Sequence, residues 1–219
     1  MIFVNFKVYK EGTGSEAIKL IRVLEEVAVK TQIKIIPVVQ AADIKEAVES
    51  TKLEVWTQHV DPVEFGAFTG NIIPEAVFED GAIGTFLNHS EHKFADFDTL
   101  TKANSKAKEV GLKTLIFAGD INGLTNVLKL SPDYVSYEPP ELVGSKTTSV
   151  AQAKPEIISQ AVILAKEKGV PLIVGAGIKS ADDIRKSNEL GASGFAIASS
   201  IVTATDPAKE LLDLCEGYK

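Results

Sequence analysis

Pro171-Leu172-Ile173-Val174-Gly175-Ala176-Gly177-Ile178-Lys179-Ser180-Ala181-Asp182-Asp183 reads as one complete structural unit. Pro171–Gly175 is apolar at consecutive positions, as in a parallel strand covered on both faces. A turn of small residues follows. Ser180-Ala181-Asp182-Asp183 then resembles a capping box, with Asp in place of the usual Glu or Gln. The helical pattern Ala181–Leu190 ends at Gly191, where a left-handed C-cap is wanted. Gly194–Ala198 is the next strand-like run, so the unit is strand, turn, helix and strand again.

The same unit recurs along the chain. Further strand-like runs are Met1–Phe6, Lys34–Val39, Leu53–Gln58, Gly84–Asn88, Leu112–Ala118 and Tyr134–Tyr137. Helical periodicity lies between them. Ser15–Lys30 puts Ile18, Ile21, Leu24 and Val27 on one stripe, and Pro155–Lys168 does the same with Ile157, Ile158, Ala161, Val162 and Ala165. Asp98–Val110 stops at Gly111, and Pro155–Lys168 stops before Gly169. About eight strand–helix pairs are the repeat number of a closed (β/α)8 barrel, a parallel eight-stranded TIM barrel. An open doubly wound sheet would need a switch point and usually a glycine-rich first turn. The first turn here, Asn5-Phe6-Lys7-Val8-Tyr9, has no glycine. The reading is one barrel domain over residues 1–219.

Composition agrees with that reading and narrows the partners. A chain of 219 residues, 45% hydrophobic and 24% charged, has the composition of a soluble globule and not of a disordered chain. The net charge of −7 argues against nucleic-acid or anionic-membrane binding. No apolar run approaches the roughly 20 residues that span a bilayer. Met1–Lys7 lacks the features of a signal peptide. The single cysteine, Cys215, cannot form an intramolecular disulfide. A cytoplasmic protein is expected.

In a barrel, chemistry belongs at the C-terminal ends of the strands. Glu138 follows the sixth strand in Tyr137-Glu138-Pro139-Pro140-Glu141-Leu142-Val143-Gly144-Ser145-Lys146. Alone it reads as a solvated loop carboxylate. Two prolines immediately after it fix φ and place it at a stiff hinge, ahead of a polar stretch long enough to act as a lid. His89 follows the fourth strand, and alone it reads first as structural. A neutral imidazole there could donate to a carbonyl oxygen and take the proton back. Lys7 follows the first strand, where a compact positive charge suits a phosphate or a developing enolate oxygen, although most lysines are simply solvated. Gly175–Lys179 and Ala198-Ser199-Ser200 end the last two strands with small residues that can leave backbone amides free for a phosphate. His59 can simply line the barrel mouth. Asp120-Ile121-Asn122-Gly123 opens like a calcium loop but lacks the later glutamate.

These turns, in this order, resemble the triosephosphate isomerase family. Asn5-Phe6-Lys7 is similar to its Asn-x-Lys, Asn88-His89-Ser90-Glu91 to its His-Ser-Glu segment, and Tyr137-Glu138-Pro139 to its Tyr-Glu-Pro. Gly66-Ala67-Phe68-Thr69-Gly70 is similar to its protruding third loop. The Glu-Pro-Pro-Glu-Leu lid and the chain length are similar to its short archaeal branch. The resemblance implies interconversion of dihydroxyacetone phosphate and glyceraldehyde 3-phosphate with no cofactor and no metal. Glu138 would shuttle the proton, His89 would polarise the carbonyl, and Lys7 would offset charge, with Asn5 holding the same oxygen. Val143, Gly144, Gly177, Ala198 and Ser199 would contact the phosphate. Glu91 would be a buried polar partner near Lys7. Phe68 and Thr69 would reach into a second subunit, giving a homodimer or homotetramer. The sequence departs from the family at His92-Lys93, where two arginines usually stand, at Lys146, in place of a lid glycine, and at Ala198-Ser199, in place of a double glycine.

Two alternatives compete. A metal-dependent pentose-phosphate epimerase would need several strand-end histidines and aspartates, which these turns do not supply. A non-catalytic phosphosugar binder would have no use for a base, and the joint presence of Asn5, Lys7, His89 and Glu138 argues against it.

Overall fold

Eight parallel strands close into a barrel in chain order: β1 (Ile2–Asn5), β2 (Ile35–Val39), β3 (Trp56–Thr57), β4 (Gly84–Leu87), β5 (Lys113–Ala118), β6 (Tyr134–Tyr137), β7 (Leu172–Val174) and β8 (Gly194–Ile197). β1 pairs with both β2 and β8, which excludes the open sheet. This is a computed structural model, and it describes residues 1–138, 155–175 and 177–219. The helices outside the barrel include α1 (Ser15–Thr31), α2 (Ile44–Ser50), α3 (Pro74–Glu79), α4 (Phe97–Glu109), α5 (Ile121–Leu128), α6 (Pro155–Glu167), α7 (Ala181–Glu189), α8 (Ser199–Val202) and α9 (Pro207–Cys215).

Side-chain alternation sorts the core into two layers. Phe3, Trp56, Phe86, Phe117, Ile173 and Ala196 belong to one buried cluster. Phe3 touches Trp56, Phe86 and Tyr134 at ring separations of 5.0–5.7 Å, contacts among four strands that only the barrel interior allows. Gly84 makes room for the indole, since a Cβ there would stand 2.6 Å from Trp56 Cε2. The alternate residues, among them Ile2, Val4, Leu87, Val174 and Phe195, face the helices in the larger cluster. There they meet the expected stripe of α1, in which Ile18, Ile21, Leu24 and Val27 are all buried.

The helix ends follow their sequence signals. Gly111, Gly169 and Gly191 all take positive φ, as a left-handed C-cap requires. Ser180 Oγ accepts from Asp183 N, and the Asp183 side chain accepts from Ser180 N, so the capping box forms with Asp in the third position. The third strand differs from expectation. Thr51 Oγ1 accepts from Leu53 N where the chain bends at Lys52–Leu53, and the ladder covers only Trp56–Thr57.

Alternation also delivers the site. Two residues beyond inward-facing Phe3 comes Asn5, and beyond Tyr134 come Ser136 and Glu138. These inward columns of the barrel therefore end in polar side chains at the mouth.

Candidate active site

Glu138 stands directly after β6, only 6% exposed, with its amide bonded to Ala118 O on the neighbouring strand. Burial pushes its carboxyl up to about 7, against the lowering effects of a Ser90 hydrogen bond and the Lys7 charge; Glu91 adds to the rise. Ser90 Oγ donates to Glu138 Oε2 at 3.1 Å.

His89 Nε2 lies 3.5 Å from the same Oε2. The ring is held at both ends. Asn88 takes φ +60°, a conformation asparagine tolerates, and anchors itself by donating from Nδ2 to Phe117 O. Glu91 N donates to His89 Nδ1 at 3.2 Å, which makes Nδ1 the acceptor and leaves the proton of the neutral ring on Nε2, facing Glu138. Burial, reinforced by Lys7 and opposed by Glu91, pushes the imidazolium down to about 4, so the ring is neutral at pH 7.

Lys7 takes φ +47°, a strained conformation for a residue with a Cβ. Two side chains hold it there. Asn5 Oδ1 accepts from Lys7 N at 3.0 Å, and Gln58 Nε2 donates to Lys7 O at 2.8 Å. Its ammonium meets Glu91 Oε1 at 2.6 Å. The Glu91 side chain is 54% exposed, which corrects the expectation that it would be buried. Glu91 follows β4 at the mouth and meets the lysine from the solvent side.

Asn5, Lys7, His89, Glu138, Gly177, Ala198 and Ser199 all line one cavity of about 480 Å³ at the C-terminal end of the barrel. The structure thus brings together every described residue expected to touch substrate. Val143, Gly144 and Lys146 lie outside the described residues. Ser199 and Ser200 open α8, and first-turn amides have no acceptor within their helix. Gly177 takes φ +73° on the facing turn. Asp183 Oδ2 accepts from Lys179 N and Ser180 N, both at 3.1 Å, and so fixes the Gly177–Ser180 turn against α7.

Three contributors escape the sequence reading. Ser90 sits inside the motif quoted for His89 and Glu91, and its role as hydrogen-bond donor to Glu138 needs only the barrel geometry. Gln58 acts on a backbone carbonyl, which leaves no signature in residue type; Asp183 is legible as a helix cap, but its bond to Lys179 N, which ties it to the cavity wall, is not. Phe68 and Thr69 lie on an exposed loop, with Phe68 48% and nearby Phe65 76% exposed. His59 packs against His92 and Phe94 at ring separations of 4.2 and 5.0 Å, so it does line the mouth. Asp120 caps α5, accepting from Gly123 N. Among the described residues, no three His, Cys, Asp or Glu side chains are grouped so as to hold a metal, and no helix is long and apolar enough to cross a membrane.

A family model described as triosephosphate isomerase matches residues 1–217. The triosephosphate isomerase of Methanobacterium bryantii is 39% identical over 98% of this chain and 95% of its own length. That of Metallosphaera sedula is 39% identical over 99% and 95%. Many of the curated relatives are archaeal. A triosephosphate isomerase structure from Bartonella henselae superposes with a TM-score of 0.80 at 17% identity, covering 99% of this chain and 98% of that one, which shows the shared barrel. The chain belongs to the triosephosphate isomerase family, enzymes that interconvert dihydroxyacetone phosphate and D-glyceraldehyde 3-phosphate through an enediol(ate).

Proposed function

We propose that Glu138 is the base of this isomerisation, with His89 as neutral electrophile and Lys7 as the charge that steadies the developing oxyanion. The observation that carries the assignment is the convergence of a buried carboxylate and the Nε2–H edge of a neutral histidine, 3.5 Å apart, on one cavity. Glu138 takes the proton from the hydroxymethyl carbon of dihydroxyacetone phosphate. The electron pair moves into the C1–C2 bond and the carbonyl oxygen gains charge. His89 Nε2–H donates to that oxygen and exchanges protons between the two enediol oxygens. Glu138 returns its proton to the adjacent carbon, giving the aldehyde, and no group is consumed. A carboxyl with a pKa near 7 suits both proton abstraction and return near neutral pH. An imidazole that stays neutral matches the proton affinity of an enediolate better than an imidazolium would, and the triosephosphate isomerase family is itself the standard example of that pairing.

Asn5 holds the Lys7 backbone and lines the same cavity, so it steadies the lysine and can share the oxyanion. Gly177, Ala198 and Ser199 hold the phosphate through backbone amides, and the lid residues Val143 and Gly144 complete that contact. Glu91 directs the Lys7 ammonium. The enzyme works as a cytoplasmic homo-oligomer joined through Phe68 and Thr69. The family match leaves the pentose-phosphate epimerase and the non-catalytic binder without support. A coupled assay on glyceraldehyde 3-phosphate in excess chelator tests the assignment. Full activity in the parent and its loss in Glu138→Gln are expected; a Glu138→Gln variant with near-native kcat would overturn the role of Glu138.

A further inference from the structure

Ser136 has no part in the chemistry described so far. It is fully buried on β6, two residues before Glu138 and therefore on the same inward column. Its Oγ is shielded from solvent and finds no hydrogen-bond partner among the described residues. A hydroxyl left unbonded in an interior is costly and asks for an explanation.

The neighbouring strand supplies one. The β6–β7 register pairs Ser136 with Ile173 and Tyr137 with Val174, which sets Gly175 beside Glu138. Gly175 leaves a notch. A Cβ at position 175 would stand 2.7 Å from Ser136 Oγ and 3.0 Å from Glu138 Oε1. The hydroxyl and the carboxylate oxygen therefore face the same small space. Meanwhile Ser90 and His89 both approach the other oxygen, Oε2. Ser90 lines a separate small cavity with Glu138 and not the larger one that holds Lys7 and His89, so a carboxylate that reaches a substrate carbon there turns away from Ser90.

We propose that Ser136 is a positioning residue for Glu138, its hydroxyl donating to Oε1 across the Gly175 notch once the carboxylate leaves Ser90. This rests on Glu138 being the base. Each position of the carboxylate then has a serine donor, Ser90 at rest and Ser136 at work. The donor at work favours the ionised form and keeps the base from being protonated in its most desolvated position. Among the described residues, the charged and titratable groups facing Glu138 are Lys7 from the β1 end and His89 and Glu91 from the β4 end. β7 brings only the glycine.

The test compares pH profiles of Ser136→Ala with the parent. The bond is absent in the resting site, so the acid limb of kcat/KM, which reports the free enzyme, should stay in place. The acid limb of kcat, which reports the substrate complex, should rise by up to about one pH unit, lowering kcat at pH 7 by roughly 2- to 5-fold with recovery at higher pH. Thermal melting of Ser136→Ala should match or exceed the parent, because the hydroxyl removed is unbonded at rest. An unmoved kcat limb would overturn the proposal, and equal shifts in both limbs would overturn the turning step. Glu138→Gln, assayed in parallel, separates the two readings. If it keeps turnover, the assignment of the base has failed and Ser136 falls with it; if it is inactive while Ser136→Ala leaves kcat unmoved, only the role of Ser136 has failed.

Discussion

Glu138 is held in an environment that opposes its charge, and that has a measurable consequence for stability. Its folded pKa of about 7 lies above the ordinary 4.5, so the folded state favours the protonated form. The burial penalty is absent below about pH 4.5, grows as pH rises to 7 and is fully present above that, at about 3 kcal/mol. His89 acts in the opposite sense. Its folded value is depressed, so it destabilises the fold as pH drops from 6.5 towards 4, where the unfolded chain takes up a proton that the buried ring refuses. Glu138→Gln keeps the shape and removes the charge. Its kcat should fall by about 10²- to 10⁴-fold with little change in substrate affinity. The same variant should be more stable than the parent by about 2–3 kcal/mol at pH 8, with the gain vanishing towards pH 4.5. Urea unfolding at several pH values reads this directly, and an equal gain at every pH would show that the carboxylate is not the cause.

The turn from Gly177 to Ser180 shows how helix capping serves a binding site. Asp183 closes the capping box of α7 and also accepts from Lys179 N, so one carboxylate fixes both the helix start and the cavity wall. Asp183→Ala should destabilise the fold by about 1–2 kcal/mol and raise KM several-fold with a smaller change in kcat, since the turn is proposed to hold the phosphate and not the reacting carbons. Steady-state kinetics beside a thermal melt would check this, and an unchanged KM in a folded variant would detach the turn from substrate binding. The box itself is legible in Ser180-Ala181-Asp182-Asp183, as are the strand runs, because both depend on residues adjacent in the chain. Leu53 reads as strand because its apolarity fits; the Thr51 hydroxyl that accepts from Leu53 N there competes locally with the ladder. Glu138 and His89 can be picked out from their places at strand ends. The facing of Ser136 and Glu138 across Gly175 cannot, because it depends on the register between two strands nearly forty residues apart.

The proposed association of two chains through Phe68 and Thr69 would make the barrel's surface bear on its chemistry. Phe65 and Phe68 stand exposed on the loop after β3, and Val8 is 78% exposed beside Lys7. Phe68 folds back on its own loop, donating its amide to Gly66 O, and Asn71 N returns to Phe68 O, so the tip is shaped before any partner arrives. A second cavity of about 570 Å³ opens beside the mouth, lined by Lys7, Val8, Gln58, His59 and His92 among others. It shares Asn5, Lys7 and His89 with the catalytic cavity. A self-complementary pairing would put the tip of each copy into this groove on the other, remove exposed aromatic surface from water and brace the strained Lys7 segment. The net charge of −7 on each copy opposes that approach, so the contact should tighten as salt screens the repulsion. Phe68→Asp replaces an apolar anchor with a further negative charge in a place outside the catalytic cavity. Its light-scattering mass should move towards the monomer, and its specific activity should fall on dilution, with both effects partly reversed in high salt. A parent protein that is monomeric and fully active at nanomolar concentration would remove the loop from any role in assembly, and an associated Phe68→Asp variant would place the contact elsewhere on the barrel.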